Sequence, residues 1–402
     1  MDRRGLLTWV AMSATGGFAG CTSGGQSGNG SGSASPAAAT AATEQASKGR
    51  TGRKSVAGVN LPVPESEFNR GTSRDSIPAI TDPVFASDWS GVTLTVVDRF
   101  GNERTIEPRL HPDDRVIGVN RDGTTRAYPL RVLNWHEIVN DSFAGPLLVT
   151  YCPLCGSAMA ATRTVNGEAT MFGVSGLLWN SNLVMYDERT GSLWSQTAAT
   201  AIRGPETGKR LSLVSAMLTT WDTWKQEHPR TSVLLPPPES NTVRGEIVRN
   251  YNRNPYSGYE RNKLLGIGSN EVPESDAHLH PKTRVLGITS DGGAKAYPLP
   301  AVLEAGVVND TVGELPVVVA VASDRTTLVG YVRRADGETL RFDRATDTHL
   351  RAAGSRWKLT TGRAVDGPHT GTILTPAATE PQMFWFAWLD FHPDTTVYPT
   401  DQ

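Results

Sequence analysis

An internal repeat constrains the fold of this chain more than any other feature of its sequence. Several motifs recur at an offset of 169 residues, and others recur at offsets of 163 and 164. Each motif with its second copy is as follows: Leu110-His111-Pro112 and Leu279-His280-Pro281, Ala127-Tyr128-Pro129-Leu130 and Ala296-Tyr297-Pro298-Leu299, Val139-Asn140-Asp141 and Val308-Asn309-Asp310, Trp194 and Trp357, and Trp221-x-x-Trp224 and Trp385-x-x-Trp388. Repeats on this scale indicate copies of one folded unit. The sequence therefore predicts two related domains in tandem.

Each copy alternates short apolar runs with turn dipeptides, which is typical of β-hairpins. The turn signals of the first copy are Asp122-Gly123, Asn166-Gly167 and Thr190-Gly191. Helical periodicity is convincing only near residues 131–139 and 219–227. We therefore predict a mostly β (α+β) fold, in which two tandem β-rich domains with a few short helices occupy residues 80–238 and 250–400. The length of 402 residues suits two such domains.

The first 20 residues have the features of an export signal. Arg3 and Arg4 precede a weakly apolar stretch, as in twin-arginine signals, and Phe18-Ala19-Gly20-Cys21 resembles a lipobox, whose cysteine receives a lipid. We expect residues 1–20 to be removed and Cys21 to carry the anchor. The alternative is a plain signal peptide that happens to contain a cysteine. A lipoprotein of this kind is held at the extracytoplasmic face of a membrane, at the cell surface or in a periplasm.

The segment after the predicted lipobox indicates a tether. Residues 21–60 are rich in Gly, Ser, Ala and Thr, so we expect this stretch to be disordered. The whole chain has 39 basic and 41 acidic side chains and a net charge of -2, which gives no electrostatic basis for binding nucleic acid. No apolar run reaches the roughly 18 residues of a transmembrane helix. A membrane contacted through the lipid is therefore the expected partner.

The differences between the two copies separate the framework from a candidate site. Histidines that both copies contain, His111 and His228 in the first, are expected to serve packing. The motif Cys152-Pro153-Leu154-Cys155 occurs only in the first copy, and the second copy has Val321 and Asp324 in place of the two cysteines. The second domain therefore folds without thiols.

Other chemistry-bearing residues disappear from the second copy together with the cysteines. Asn134-Trp135-His136-Glu137 becomes Leu303-Glu304-Ala305-Gly306, which removes an imidazole and a carboxylate. The glycine-rich stretch 172–176 and the residues Asn180-Ser181-Asn182 have no counterpart. Because thiols, imidazole and glycine-rich loop are lost together, the sequence predicts that they form one site.

A C-x-x-C pair can form a disulfide or occupy two corners of a tetrahedral metal site. In a redox site, Cys152 and Cys155 would cycle between dithiol and disulfide, and His136 would orient or deprotonate a thiol. In a metal site, His136 would be the third ligand, with Asp187 or Gln196 as the fourth, and the soft sulfur ligands favour copper or zinc. An inert disulfide that staples one turn is a further alternative.

Several long, collinear motifs carry a family resemblance. They are Asn134-Trp135-His136-Glu137-Ile138-Val139-Asn140-Asp141, Tyr151-Cys152-Pro153-Leu154-Cys155-Gly156, Phe172-Gly173-Val174-Ser175-Gly176, Asn180-Ser181-Asn182-Leu183, Met185-Tyr186-Asp187 and Leu193-Trp194-Ser195-Gln196. Together they resemble an uncharacterised family, domain-of-unknown-function family 3179, over residues 82–236, and the second domain looks like a divergent copy. The resemblance implies exported or membrane-attached proteins and brings no established activity.

Two functions of different classes follow from these observations. The first is an exported, lipid-anchored protein whose first domain holds a thiol–disulfide redox site or a metal site, acting on a redox partner or a small ligand that the residues do not identify. The second is a non-catalytic ligand-binding or structural module at the cell surface, with the C-x-x-C as a disulfide staple. Whether the protein is an enzyme therefore depends on which of the two functions it has.

Overall fold

The computed structural model describes residues 53–98, 100–267 and 279–399. The predicted leader, Cys21 and the tether up to residue 52 lie outside these residues. The described residues form mostly β-strands with a few short helices, which confirms the predicted fold class. The described residues form one compact unit. The α-helices, each seven residues long, are Leu130–His136 (α1), Trp221–Glu227 (α2), Leu299–Ala305 (α3) and Trp385–Phe391 (α4).

The first half of the described chain comprises residues 53–250 and begins with short strands. Its strands are Ser55–Val56 (β1), Val59–Asn60 (β2), Asn69–Arg70 (β3), Ile80–Asp82 (β4), Phe85–Ala86 (β5), Leu94–Val97 (β6), Glu103–Ile106 (β7), Arg115–Arg121 (β8), Thr124–Pro129 (β9), Ile138–Asp141 (β10), Leu147–Cys152 (β11), Ser157–Ala161 (β12), Thr164–Val165 (β13), Glu168–Ala169 (β14), Phe172–Trp179 (β15), Asn182–Asp187 (β16), Leu193–Ser195 (β17), Thr200–Arg203 (β18), Leu213–Val214 (β19), Ala216–Thr220 (β20), Ser232–Leu234 (β21) and Asn241–Thr242 (β22). A 3₁₀ turn occupies Glu65–Glu67.

The joining segment, residues 251–267, contains the 3₁₀ turn Tyr259–Arg261 and leads towards the second half, residues 279–399. The strands of the second half are Arg284–Ser290 (β23), Gly293–Pro298 (β24), Val307–Val312 (β25), Leu315–Val321 (β26), Leu328–Val332 (β27), Arg334–Ala335 (β28), Glu338–Thr339 (β29), Asp343–Arg344 (β30), His349–Ala352 (β31), Ser355–Lys358 (β32), Met383–Phe384 (β33) and Thr396–Val397 (β34).

Three larger sheets build the first half. Their strand orders are β19-β12-β11-β10-β4-β22, β20-β8-β9-β21-β5 and β18-β17-β16-β15-β3. The smaller sheets of the second half have the orders β33-β23-β24-β34, β25-β26-β27 and β30-β31-β32. In each half a hairpin leads into a helix and then into three antiparallel strands: β8-β9-α1-β10-β11-β12 and β23-β24-α3-β25-β26-β27. The division of the chain into two domains stays a prediction.

The turn dipeptides close hairpins where the sequence predicts them. Asp122 and Gly123 connect β8 to β9, and both have positive φ angles of 51° and 78°. Positive φ at both central residues matches the right-handed twist of the flanking strands, and Asp-Gly tolerates it. Thr190-Gly191 likewise lies between β16 and β17, which pair antiparallel with Met185 opposite Trp194.

Tryptophans of the repeated motif pack on glycines in the facing strand in both halves. A Cβ atom at Gly118 in β8 would lie 2.3 Å from the Trp224 ring, and one at Gly287 in β23 would lie 2.1 Å from the Trp388 ring. A side chain at either glycine would therefore displace the indole. The histidine of the second His-Pro step in each half packs on this indole, His228 tilted against Trp224 and His392 stacked on Trp388, so these repeated residues pack rather than line a site.

Part of the segment that the sequence assigns to the tether has a defined structure. Residues 55–60, assigned to the tether, form the β1–β2 hairpin, and Val56 is buried in a cluster with Val63 and Trp179. The backbone N–H of Arg53 donates to the Gly208 carbonyl at 2.7 Å. The composition of this stretch is polar, but one buried valine and backbone pairing suffice to hold it. Among the described residues, no helix is long and apolar enough to cross a membrane.

Candidate thiol site

The C-x-x-C motif forms the turn between the central strands β11 and β12. Cys152 ends β11 and pairs with Ser157 at the start of β12, so residues 153–156 make the connection. Gly156 has a φ of 61°, and a Cβ atom there would lie 2.9 Å from the Phe384 ring. Only glycine meets both the left-handed backbone and the close approach of the ring. The turn therefore contacts the second half directly.

Both cysteines are free thiols, and both are buried, with exposed fractions of 1% for Cys152 and 0% for Cys155. The carbonyl oxygen of Ser181 lies 3.3 Å from the Cys155 sulfur and 4.0 Å from the Cys152 sulfur. Ser181 belongs to the Asn180-Ser181-Asn182 turn, which the second half lacks. The structure therefore brings residues 180–182 to the two thiols, whereas the glycine-rich stretch 172–176, predicted to be a loop of the site, lies within strand β15.

Hydrogen bonding distinguishes the two thiols. Burial raises the pKa of the Cys152 thiol, but hydrogen bonds from the Cys155 thiol and from the backbone N–H groups of Cys155, Leu183 and Leu154 outweigh burial and lower it. Burial, together with the hydrogen bond to Cys152, raises the pKa of Cys155 well above its ordinary value. Cys152 is therefore the residue that favours the thiolate, and Cys155 keeps its proton.

A buried polar network supports the strands beneath the thiols. The Gln196 amide oxygen accepts from Ser157 Oγ at 2.8 Å and from Asn182 Nδ2 at 2.9 Å, and its nitrogen donates to Thr150 Oγ1 at 3.2 Å. Because the Gln196 oxygen and nitrogen are both engaged in this network, its amide serves to fix β11, β12 and β16 relative to each other.

The second candidate for a fourth metal ligand, Asp187, is also bonded within the fold. Its carboxylate accepts from Trp194 Nε1 at 2.9 Å and from the backbone N–H of Thr190 at 2.8 Å. It closes the turn between β16 and β17 and orients a core indole, which is a structural task.

His136 is held by groups other than the thiols. Its Nδ1 lies 2.8 Å from the Pro78 carbonyl oxygen, and its Nε2 lies 2.8 Å from the Tyr251 hydroxyl. Because a carbonyl can only accept, Nδ1 carries the proton and Nε2 accepts from the hydroxyl. Burial lowers the pKa of His136 to about 4, so the ring is neutral at neutral pH. The role assigned to His136 stays a prediction, and its hydrogen bonds give that role no support.

Glu137, the next residue, is the group that the sequence analysis did not assign to the site. It follows α1 with a left-handed backbone, φ 56° and ψ −31°, and its side chain is 7% exposed. Burial, and after it the charge of the neighbouring Cys152, raise the pKa of this carboxyl group well above its usual range. The loss of Glu137 together with the cysteines in the second copy was the sequence signal that could have identified it.

The joining segment covers the turn. The Tyr259 hydroxyl donates to the Leu154 carbonyl at 3.0 Å and accepts from the backbone N–H of Gly266 at 3.0 Å. The second half supplies the Phe384 backbone N–H, which donates to the Cys155 carbonyl at 2.9 Å. The thiols therefore lie where the first half, the joining segment and the second half meet.

The geometry gives little support to the metal alternative. Within the described part of the chain, no three His, Cys, Asp or Glu side chains lie together as a metal ion would require. The two ring nitrogens of His136 are bonded elsewhere, as are Asp187 and Gln196. What the arrangement can do chemically is thiol chemistry, because two free thiols lie in one turn and the pKa of one is lowered while that of the other is raised.

The family model of DUF3179, described as a protein of unknown function, matches residues 74–395. The match extends well beyond residues 82–236, where the motifs resemble that family, and includes almost the whole second half. No curated protein and no solved structure matches the chain. The match covers most of the 402 residues, and the chain therefore belongs to the DUF3179 family.

Proposed function

We propose that this protein is an exported, lipid-anchored protein whose first half carries a thiol–disulfide exchange site. Cys152 is the attacking thiolate, and Cys155 is the thiol that resolves the mixed disulfide. The observation that carries the proposal is the difference between two thiols in one turn, where hydrogen bonds favour the thiolate of Cys152 and the protonated form of Cys155. Exchange needs one ready nucleophile and a second sulfur within reach of it.

The co-reactant of this site is a disulfide, R–S–S–R. The Cys152 thiolate bonds to one of its sulfurs, the S–S bond breaks, and R–S⁻ leaves. The Cys155 sulfur then bonds to the Cys152 sulfur, and the second R–S group leaves as a thiol with the Cys155 proton. The cysteine pair loses two electrons, which the co-reactant gains. The reverse sequence lets a dithiol reduce the pair.

Access to the sulfurs requires the joining segment to move, because both thiols are buried. The Tyr259 hydroxyl makes two hydrogen bonds. One joins the joining segment to Leu154 of the turn, and the other is made to Gly266 within the segment. A hydrogen bond contributes on the order of 1 kcal/mol, so a local opening of this kind is far less costly than unfolding. We expect the reaction rate of small disulfides to increase with the fraction of molecules in which this segment is open.

The test uses the full chain, purified in detergent, and two matched variants, Cys152→Ser and Cys155→Ser. Treated with hydroxyethyl disulfide, wild type should acquire an internal disulfide. Cys155→Ser should accumulate a mixed disulfide on Cys152, because the resolving thiol is missing, and Cys152→Ser should react at least tenfold more slowly. Intact-mass spectrometry after alkylation of free thiols distinguishes these products.

Two results of this experiment would contradict the proposed exchange site. A disulfide between Cys152 and Cys155 that resists mild reductant, or equal reactivity of the two single variants, would show a staple or an inert pair and would reject the exchange site. In that case the non-catalytic surface module becomes the better description of this protein.

We also propose that Cys21 carries a lipid that anchors the protein at the extracytoplasmic face of a membrane. The paired arginines and the Phe18-Ala19-Gly20-Cys21 sequence support this proposal. Cys21→Ser should move the protein from the membrane fraction to the soluble fraction, since the lipid is the predicted attachment, whereas Cys152→Ser should stay with the membranes. A Cys21→Ser variant that still sediments with membranes would contradict the lipobox assignment.

A further inference from the structure

The corresponding strands β10 and β25 differ in what lies at their outer edges. Strand β10 pairs with β11 on one side and with β4 on the other, where Ile80 lies parallel and opposite to Val139. Strand β25 pairs with β26 on one side, and no described residue pairs with its other side. An edge strand of this kind presents backbone N–H and C=O groups to which another strand can bind.

The asparagine of each edge shows what the second half lacks. In the first half, Asn140 Nδ2 donates to the Phe172 carbonyl at 2.9 Å and to the Ile80 carbonyl of β4 at 3.2 Å. In the second half, Asn309 Nδ2 donates to the Phe342 carbonyl at 2.8 Å and makes no second hydrogen bond to a described residue. One N–H of Asn309 therefore lacks the acceptor that a neighbouring strand provides to Asn140.

A groove with a volume of about 350 Å³ lies along this edge of β25. The residues that line it are 307–310 of the strand, Arg341, Tyr398 and Pro399. The Asp141 side chain of the first half is 4% exposed, whereas the corresponding Asp310 side chain is 23% exposed. The second half therefore leaves open the space that β4 covers in the first half.

The charges of this groove favour an acidic ligand. The Asp310 carboxylate is paired with Lys295 at 2.9 Å, so its charge is balanced. Arg341 is exposed and makes no ion pair with a described residue, which leaves the groove with a net positive charge. The strand that covers the corresponding edge in the first half itself contains an acid, Asp82, two residues after Ile80.

We propose that the outer edge of β25 binds an extended, acidic segment of a partner protein, which adds to the sheet as a parallel strand in the way that β4 adds to β10. A β-branched residue of this segment lies opposite Val308, as Ile80 lies opposite Val139. Its carbonyl accepts the second N–H of Asn309, and an acidic side chain of the segment is attracted by Arg341. Backbone hydrogen bonds supply the affinity of such strand addition, and side chains supply its specificity.

The test uses the full chain in detergent and a fluorescent peptide with the sequence of residues 77–83, Ile-Pro-Ala-Ile-Thr-Asp-Pro. Fluorescence anisotropy should show saturable binding below about 1 mM, because a short strand gives a small interface. Arg341→Glu should weaken binding about fivefold, whereas Arg230→Glu, which changes an exposed arginine of the first half, should leave it unchanged. A peptide with lysine in place of the aspartate should bind Arg341→Glu more tightly than wild type.

Hydrogen exchange followed by mass spectrometry locates the bound peptide. The peptide should slow amide exchange in residues 307–312 and leave residues 138–141 unchanged, since β4 already covers that edge. Absence of binding, or protection at 138–141 in place of 307–312, would overturn the inference. It would also be overturned by a dimer in sedimentation velocity that Arg341→Glu dissociates, because the occupant of the edge would then be a second copy of this chain.

Discussion

At the scale of single residues, the two thiols of the site differ because their hydrogen bonds differ. Cys152 receives hydrogen bonds from the turn that follows it, whereas Cys155 is closer to the Ser181 carbonyl, which can only accept. The C-x-x-C spacing predicts that two sulfurs lie close together, but it does not show which one ionises. That depends on the N–H groups of Cys155 and Leu154 within the turn and also on the N–H of Leu183, about 30 residues further along the chain, a contact that short-range patterns do not report.

Two adjacent residues of the first half also differ from each other. His136 ends α1 with both nitrogens bonded, and Glu137 follows it with a positive φ angle of 56°. The sequence correctly marks both as absent from the second copy, but it favours the imidazole because histidine more often acts near neutral pH. Burial reverses this expectation, since it removes the charge from His136.

The pH dependence of folding should reveal the neutral state of His136. Its pKa is about 4 in the folded protein and 6.5 in the unfolded chain, so the unfolded chain binds the proton more readily. Stability from this group is present above pH 6.5 and is lost as the pH falls towards 4, by roughly 3 kcal/mol in total. In urea unfolding between pH 4 and 7, His136→Gln should be less stable than wild type at pH 7, and the gap should shrink as the pH falls.

The control for this measurement is His111→Gln, because His111 is exposed. Its stability difference from wild type should change little over the same pH range. Two variants are compared because other groups titrate in this range: desolvation raises the pKa values of Glu380 to about 7 and of Asp390 to about 6, and these carboxyl groups change stability in the opposite direction. A pH-independent gap for His136→Gln would mean that the ring is not held neutral.

At the scale of elements, sequence patterns predict a helix or strand well where the residues that it contacts are close to it in the chain. The hairpin at Asp122-Gly123 and the helices that begin at Leu130 and Trp221 follow from turn chemistry and periodicity. In each case the deciding contacts are made within one hairpin or one helix. The glycine-rich stretch 172–176 is an exception, since it is expected to be a loop and lies in the eight-residue strand β15, where the corresponding β30 has two residues.

The elements that the sequence does not predict depend on distant partners. The β1–β2 hairpin has a polar composition and is held by contacts with residues near 180 and 208. The joining segment shows no helical or strand periodicity, yet Tyr259 covers the thiols and Lys282 binds the Tyr259 carbonyl at 2.7 Å. Packing against a preformed surface gives such segments their structure, and local propensity says little about it.

At the scale of the whole molecule, the two halves contact each other in a reciprocal way. The Cys155 carbonyl accepts from the N–H of Phe384, the residue that caps α4. Asp324, which occupies the equivalent of position 155, accepts from the N–H of Thr220, the residue that caps α2. Each half thus presents its β-turn to the helix start of the other. This pattern favours a pseudo-twofold arrangement of two copies, which stays a prediction.

The reciprocal contacts give the second half a task although it lacks the thiols. Asp324 gathers the hydroxyls of Thr219, Thr220, Thr223 and Thr327 around one carboxylate, at distances of 2.5 to 3.4 Å. Hydrogen bonds to a charged acceptor are stronger than those between neutral groups. The junction at Asp324 therefore fixes the position of the second half. The same half contacts the thiol turn through Phe384 and closes the thiol site.

Asp324→Ala tests this junction. Removing the carboxylate leaves several buried hydroxyls without their acceptor, so the free energy of unfolding should fall by about 1–3 kcal/mol. Asp394→Ala is the matched control, because Asp394 is exposed and has no side-chain hydrogen bond among the described residues, and it should change stability by less than about 0.5 kcal/mol. Urea unfolding followed by tryptophan fluorescence measures both. The junction at Asp324 holds in place the second half, which covers the thiols. Asp324→Ala should therefore also speed the alkylation of Cys152. Equal alkylation rates in Asp324→Ala and Asp394→Ala would show that the contacts at Asp324 and at Phe384 are independent.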